Sequence, residues 1–530
     1  MKKLFAVILC LSISAFFFAA CGGGESEPVD NSGRTDVIVA MSKASEPAAG
    51  FDPCNNWGAG DHVHEPLLQS TLLVTDVDLN FQNDLATEYS VSEDGLTWTF
   101  TIRDDVKFTD GEPLTAADVA FTYNTTKNNP ASATDLTMLE SAEAIDDSTV
   151  VFHMARPFNA FLYTVAVLGI VPEHAYNENY GQNPIGSGRY MLEQWDMGQQ
   201  AIFVANPDYY GEKPLMERVV ILFMDEDAAF AAAKSGQLDI TYTAASYSEQ
   251  SIEGMQLLAF DSVDSRGLSL PVVEAGGTLE SGEAVGNDVT ADLAIRRAIN
   301  LAIDRETMAA NTLYGYGTPA YSVSDNMPWY STDMAVECDR EAAKALLEEA
   351  GWVAGSDGIY AKDGLRASFN CLYPASDSVR QALAAELANQ LKEVGIEMTY
   401  EGLSWDDIYV RSYAEPVLWG WGANSPVEIY NIYYSSGNAN AASYVNETVD
   451  ENIDRALAAA TMDASYGSWQ AAQWDGSTGF APQGDAPWVW LVNIQHLYFA
   501  NSDLVVAEQK LHPHGHGWSL VNNVDRWSWQ

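Results

Sequence analysis

Residues 81–123 read FQNDLATEYSVSEDGLTWTFTIRDDVKFTDGEPLTAADVAFTY. Within them, residues 96–103 (LTWTFTIR) put Leu96, Trp98, Phe100 and Ile102 on one side, with the threonines and Arg103 on the other. Successive side chains of a strand point to opposite faces, so this period of two predicts a strand with one buried face. Residues 148–154 (STVVFHM) repeat the pattern with Val150, Phe152 and Met154. His153 falls on the other face and is expected at the surface.

Helical spacing appears further along. Asp339 is placed to cap a helix that carries Ala343, Leu346, Leu347 and Ala350 and ends at Gly351. A second helix is predicted from about Asp377, with Val379, Leu383, Leu387 and Leu391 inward and Gly395 at its end. It runs directly into IEMTY, where Ile396, Met398 and Tyr400 alternate, and helix, glycine and strand make an α/β unit. Residues 291–304 form another helix, with Ile295, Ile299 and Ile303 on one face.

The first twenty residues stand apart. MKK supplies positive charge and LFAVILCLSISAFFFAA is an uncharged apolar run, the pattern of a secretory signal. Phe18-Ala19-Ala20-Cys21 followed by GGGESEP resembles a bacterial lipobox, with Phe18 where Leu is commoner. The resemblance implies cleavage before Cys21, lipidation there and retention at the outer face of the cytoplasmic membrane. An ordinary cleaved signal, or an uncleaved transmembrane helix, is the alternative. Residues 21–34 then read as a flexible tether with too few apolar residues to fold. No later stretch reaches the roughly 18 apolar residues of a spanning helix, so the remainder is expected to be soluble. Its length suggests two or three domains.

Removing residues 1–20 takes away Lys2 and Lys3 and no acid, leaving 24 basic residues against 74 acidic ones, formally −50. Such a charge argues against nucleic acid and against anionic lipid surfaces as partners. Of five cysteines, Cys10 lies in the signal and Cys21 at the lipid site. Cys54, Cys338 and Cys371 permit one disulfide without choosing the pair.

Enzyme signatures are missing. There is no GxxxxGK[ST] phosphate loop, no HExxH helix and no GxSxG elbow; His64-Glu65 is followed by Pro66, which would break a metalloprotease helix. Acidic pairs such as Asp406-Asp407 follow from the composition and carry no information about glycoside hydrolysis.

The stretch at 81–123 closely resembles the signature of the extracytoplasmic solute-binding proteins of the peptide/nickel family, which serve ABC importers. NPIGSGRY (183–190), ANPDYYGEKP (205–214), AAAKSGQLDI (231–240) and AIRRAINLAIDRE (294–306) match in the expected order. The resemblance implies an α/β, periplasmic-binding-protein-like fold of two lobes joined by a hinge, with an extra domain inserted in the first lobe. Lobe I would comprise 35–70, 185–261 and 483–530, the inserted domain 71–184, and lobe II 262–482. Ligand that touches both lobes favours the closed state, which the importer then reads. ATP hydrolysis would sit on partner chains, the ABC permease and ATPase subunits, and the receptor itself is expected as a monomer.

Peptide binders of this family carry an Asp in a "W.ADY.DP"-like segment that pairs with the peptide's ammonium. The matching segment here is WGWGANSPVEIY (419–430), with Asn424 at the position of the Asp. A neutral amide cannot neutralise a buried ammonium, although Glu428 could substitute by a short shift. The resemblance places Trp419, Trp421 and Trp57 at the cleft, where aromatic faces suit side chains and cations, core packing being the alternative for one of the Trp419/Trp421 pair. Arg266, in DSRGLSLP, is a candidate carboxylate clamp, because a guanidinium fork matches a carboxylate; a salt bridge to one of the many acids is the equal alternative.

Histidines cluster twice. His512, His514 and His516 stand two apart in HPHGHGW, which in an extended segment points all three rings to one side. His62 and His64 repeat the spacing near the cleft mouth. Neutral imidazoles suit nickel, zinc and copper, so both clusters are candidate metal ligands, with a turn whose rings cap the fold as the alternative for the trio.

The expectation is therefore a lipid-anchored receptor that captures a peptide or peptide-like solute for an ABC permease. It needs no cofactor beyond a transition metal that is part of the ligand. The alternative ligand is nickel as a histidine or metallophore chelate. A sensor, and more remotely a secreted metal-dependent hydrolase built on the histidines, are the other classes.

Overall fold

The computed structural model describes residue 31 and residues 33–55, 57, 63–515 and 517–530. Two β-sheets carry most of the chain. The first has seven strands in the order Met255–Phe260, His496–Asn501, Ile240–Thr243, Asp36–Ser42, Arg218–Met224, Gln200–Ala205, Tyr190–Asp196. The second has six, in the order Gly317–Pro319, Trp488–Ile494, Ser265–Ser269, Val417–Trp421, Ser368–Pro374, Glu397–Leu403. Helices cover the second sheet where the sequence placed them. Ser378–Glu393 is capped by the Asp377 side chain, which accepts from Arg380 N at 2.8 Å, and it buries Leu383, Leu387 and Leu391. Arg340–Glu349 is capped by Asp339, which accepts from Ala342 N at 2.9 Å.

The helix expected over 291–304 is shorter, Leu293–Ala302. Ile303 is buried but has left the helical conformation (ψ 117°), because Asp304 caps a separate helix, Arg305–Leu313, by accepting from Thr307 N at 2.9 Å. Two caps so close together force a break between them.

A third sheet, antiparallel and four-stranded, holds Ala86–Val91, Thr97–Ile102, Thr149–Met154 and Leu139–Ala144 in that order. Trp98, Phe100, Ile102, Val150, Phe152 and Met154 are buried as the alternation requires, and the His153 side chain is 41% exposed beside Glu143. This unit also grips the later part of the chain. Asn159 donates to Ala456 O and its backbone N–H to Leu457 O, both at 2.9 Å, and Arg156 pairs with Asp454 at 3.2 Å.

The chain passes between the two large sheets twice, from Phe260 to Ser265 and from Ile494 to His496. The crossings lie side by side: Ile494 N donates to Asp264 O at 2.9 Å, and the Ser262 hydroxyl donates back to Ile494 O. The strand Trp488–Ile494, expected in lobe I as part of 483–530, therefore belongs to the second sheet, where it pairs with Ser265–Ser269. The passage back falls at Gln495.

The expected tether also ends sooner than residue 34. Asn31 donates to Asp503 at 3.1 Å, and Arg34 pairs with Asp239 at 2.9 Å and lies over the Trp529 ring. Cys21 and the signal segment lie outside the described residues. Cys54, Cys338 and Cys371 are free thiols, so the disulfide the count permitted is not formed among the described residues. No helix among those residues is long and apolar enough to cross a membrane.

Candidate functional site

A cavity of about 1190 Å³ is lined from both large sheets and from segments outside them, Ser132, Asp135 and Tyr163 among them. Its floor is set by one register. Strands Ser265–Ser269 and Val417–Trp421 are antiparallel, with Arg266 opposite Gly420. Opposite residues share a face, so the Arg266 side chain passes over a position without a side chain. A Cβ at Gly420 would collide with Arg266 Nη1, Arg380 Nη2 and the His514 ring, so these three groups converge there.

Beneath them lies Asp264, fully buried. It is ion-paired with Arg266, and it accepts from His514 Nδ1 at 2.5 Å and from His496 Nε2 at 3.0 Å. Burial alone would raise its carboxyl, but the Arg266 charge, helped by His514 and His496, holds it well below the usual carboxylate range. The network extends outward, since His496 Nδ1 is 3.1 Å from His512 Nδ1, and His512 Nε2 is 3.1 Å from Gln509 Oε1. Arg380 pairs with Asp377, the cap of its own helix, and lies over the Trp405 ring at 5.6 Å.

The aromatic wall follows from the same strand. Trp419 stacks on Trp405 with ring centroids 5.6 Å apart, and its indole N–H donates to the Ser269 hydroxyl at 2.9 Å. Trp421, two residues on, also lines the cavity. Asn424 lines it too, with its amide N–H turned away to Leu511 O at 2.9 Å. Glu428 lines it with a side chain that is 8% exposed, and burial pushes its carboxyl up to about 7.

Trp57 is placed differently from expectation. It packs against Phe51 and Trp518 in the core of the seven-stranded sheet, donating its indole N–H to His64 O at 2.9 Å, and is not among the residues of the cavity wall. Apolar neighbours on the first sheet outcompete the cleft for a ring of that size.

His512 and His514 do not face the same space. Gly515 and Gly517, both beyond His514, have φ of +101°, so the chain does not stay extended past it. His512 is buried in the Asp264 network, whereas His514 reaches the cavity; His516 and His62 lie outside the described residues. His64 is buried on the cavity wall and its Nε2 has no hydrogen-bond partner among the described residues. Burial, with His514 and His496 nearby, lowers its basicity to a pKa of about 3 despite Asp264. Among the described residues, no group of three or more His, Cys, Asp and Glu side chains is placed to hold a metal ion.

Sequence reasoning missed Asp264, Arg380 and His496. Asp264 stands two residues before Arg266 at the start of the strand, a spacing that puts both on one face, and Arg380 is one of few bases in an acidic chain. Those signals were present; nothing local identified the partner of His496.

Comparison with known proteins now bears on this cavity. The family model described as bacterial extracellular solute-binding proteins, family 5 Middle, matches residues 80–443. Protein XP55 of Streptomyces lividans is 35% identical over 503 residues, which is 90% of this chain and 88% of that protein. The oligopeptide-binding protein AppA of Bacillus subtilis is 27% identical, covering 84% of this chain and 85% of its own. The fold is shared with NikZ from Campylobacter jejuni, solved in complex with Ni(L-His), at a TM-score of 0.80 and 24% identity, over 93% of this chain and 99% of that one. A cavity between two sheets, a pair of hydrogen-bonded crossings beneath it and a family match over most of the chain lead to one conclusion: this protein belongs to the family 5 bacterial extracellular solute-binding proteins.

Proposed function

We propose that the protein is the receptor of an ABC import system and captures a peptide or peptide-like solute with a free carboxylate between its two lobes. The observation that carries this reading is the convergence of Arg266, Arg380 and His514 over Gly420 on the cavity floor. Guanidinium donors in a partly enclosed space suit a carboxylate better than any neutral group. The volume, about 1190 Å³, exceeds the roughly 300–1,000 Å³ typical of small-molecule sites, which favours an extended ligand. Trp405, Trp419 and Trp421 offer faces for its side chains. Closure would swing the two sheets about the crossings at Asp264 and Ile494, and the closed form would dock on permease and ATPase partner chains. Cys21 would carry the lipid that keeps the receptor at the membrane surface.

A second reading is nickel held as a histidine chelate. It is favoured by His64, whose Nε2 carries no hydrogen bond and whose ring stays neutral, on the same wall as His514. Because too few metal-binding side chains gather there, a metal would bring most of its donors with it. Calorimetric titration of the mature chain with di- to pentapeptides, and separately with Ni(II) plus L-histidine, separates the two. Heat with peptides supports the first reading; heat with the chelate alone replaces it by the second.

A further inference from the structure

Helix Glu226–Lys234 follows strand Arg218–Met224 of the first sheet, and helix Ser378–Glu393 follows strand Ser368–Pro374 of the second. Each helix therefore starts at the carboxyl end of a strand that has a parallel neighbour, the edge of an α/β sheet that faces a ligand crevice. The two starts meet. The Ser378 hydroxyl donates to Glu226 Oε2 at 2.9 Å, across 152 positions of sequence. One partner comes from each lobe and both are protein groups, so this bond counts toward closure whatever solute is held.

Three acids open the first-lobe helix, and they are used differently. Asp225 pairs with Lys43 at 2.6 Å, and Asp227 accepts from the Tyr247 hydroxyl, both inside lobe I. Glu226, half-buried between them in sequence, reaches across to lobe II, with the Tyr242 hydroxyl of its own lobe as a second donor. Opposite it stands Asp377, which caps the second-lobe helix, lines the cavity and pairs with Arg380.

Attraction and repulsion thus meet at one carboxyl group. The outward N–H groups in the first turn of a 16-residue helix draw a carboxylate, as do the two hydroxyls. Burial acts against the charge, and so do Asp377 across the gap and Asp227 beside it. Burial is the largest influence, and the Glu226 carboxyl ends above its ordinary value. An acid that holds its proton more tightly when the lobes are together favours their meeting as the pH falls. Neutral Glu226 still accepts from Ser378 and no longer repels Asp377.

We propose that Glu226 and Ser378 form a latch that holds the two lobes together beside the cavity, and that loss of the Glu226 proton to solvent loosens it. No covalent bond of protein or solute changes. The proposal rests on the reading of the two lobes as hinged, and it is independent of which solute binds.

The test places spin labels on two exposed positions, Lys213→Cys in lobe I and Lys392→Cys in lobe II of the mature chain, with Cys21→Ser and Cys338→Ser. Cys54 and Cys371 are buried and stay unlabelled. Pulsed dipolar distances are measured at pH 5 and pH 8 with no solute added. The expected result is a short and a long distance, with a closed-to-open ratio about twofold or more higher at pH 5. Glu226→Gln should flatten this response and raise the closed share at pH 8. Ser378→Ala should lower the closed share at both pH values. A wild-type ratio that ignores pH, a response equally large in Glu226→Gln, or an unchanged ratio in Ser378→Ala overturns the proposal. If one distance persists in every variant, at both pH values and with an excess of a tri- to pentapeptide pool, the lobes do not swing. The hinge reading then falls, and the latch falls with it.

Discussion

Arg266 stands directly opposite Gly420 across two antiparallel strands, and the missing side chain at Gly420 is the space in which Arg266, Arg380 and His514 meet. A methyl group there would push against two guanidinium groups that are each held by a carboxylate. Gly420→Ala is expected to cost about 1–3 kcal/mol of stability, the usual penalty of overpacking, and to weaken ligand binding more than that loss alone explains. Denaturant unfolding and calorimetry on the same preparation measure both.

Asp264 is the acid that permits a guanidinium to be buried at this depth. Asp264→Ala should destabilise the protein by about 3–5 kcal/mol, because Arg266 would be left buried without its counter-charge. Asp264→Ala combined with Arg266→Met should recover part of this, and a double variant no more stable than Asp264→Ala would mean the pair is not the cause.

For ligand capture, Arg266→Ala is expected to weaken binding of carboxylate-bearing solutes by about 2 kcal/mol or more. The same solutes with an amidated C-terminus should bind wild-type protein and variant alike. Unchanged affinity for the free acid would remove Arg266 from the site.

His64 is buried neutral, with a folded pKa of about 3 against an ordinary value of 6.5. A lowered histidine pKa means that the unfolded chain takes up the proton first. Stability is therefore full above about pH 6.5 and declines as the pH falls toward 3, by about 2 kcal/mol at pH 5 if His64 alone acts. Urea unfolding at pH 7 and pH 5 reads this loss, and His64→Gln should reduce it.

Cys21→Ser should move the protein from the membrane fraction to the soluble extracytoplasmic fraction of expressing cells. Retention in the membrane would point to an uncleaved apolar segment at residues 4–20 instead.

Much of the architecture was legible in the residues because its causes are local. Alternation at Trp98, Phe100 and Ile102 buries one face of a strand whatever lies beneath, and Asp377 and Asp339 cap helices through backbone groups three residues away. The same locality made the errors. The helix at 293–302 stops early because Asp304 begins a competing cap, which periodicity does not weigh. The equal spacing of His512 and His514 promised a common direction, yet one ring is in the core and the other on the cavity wall.

What the sequence alone determined is the set of elements and the family, since periodicity, caps and a long motif act over a few residues and survive any packing. Only the tertiary structure decided which acid answers Arg266, which histidine faces the cavity, that Trp57 is core, and that no described residue pairs with Glu428. Asp264 stands only two residues from Arg266, but its place depends on contacts hundreds of positions away, with His496 and His514. An acidic chain offers many possible partners for every base, and the closing of the sheets selects among them.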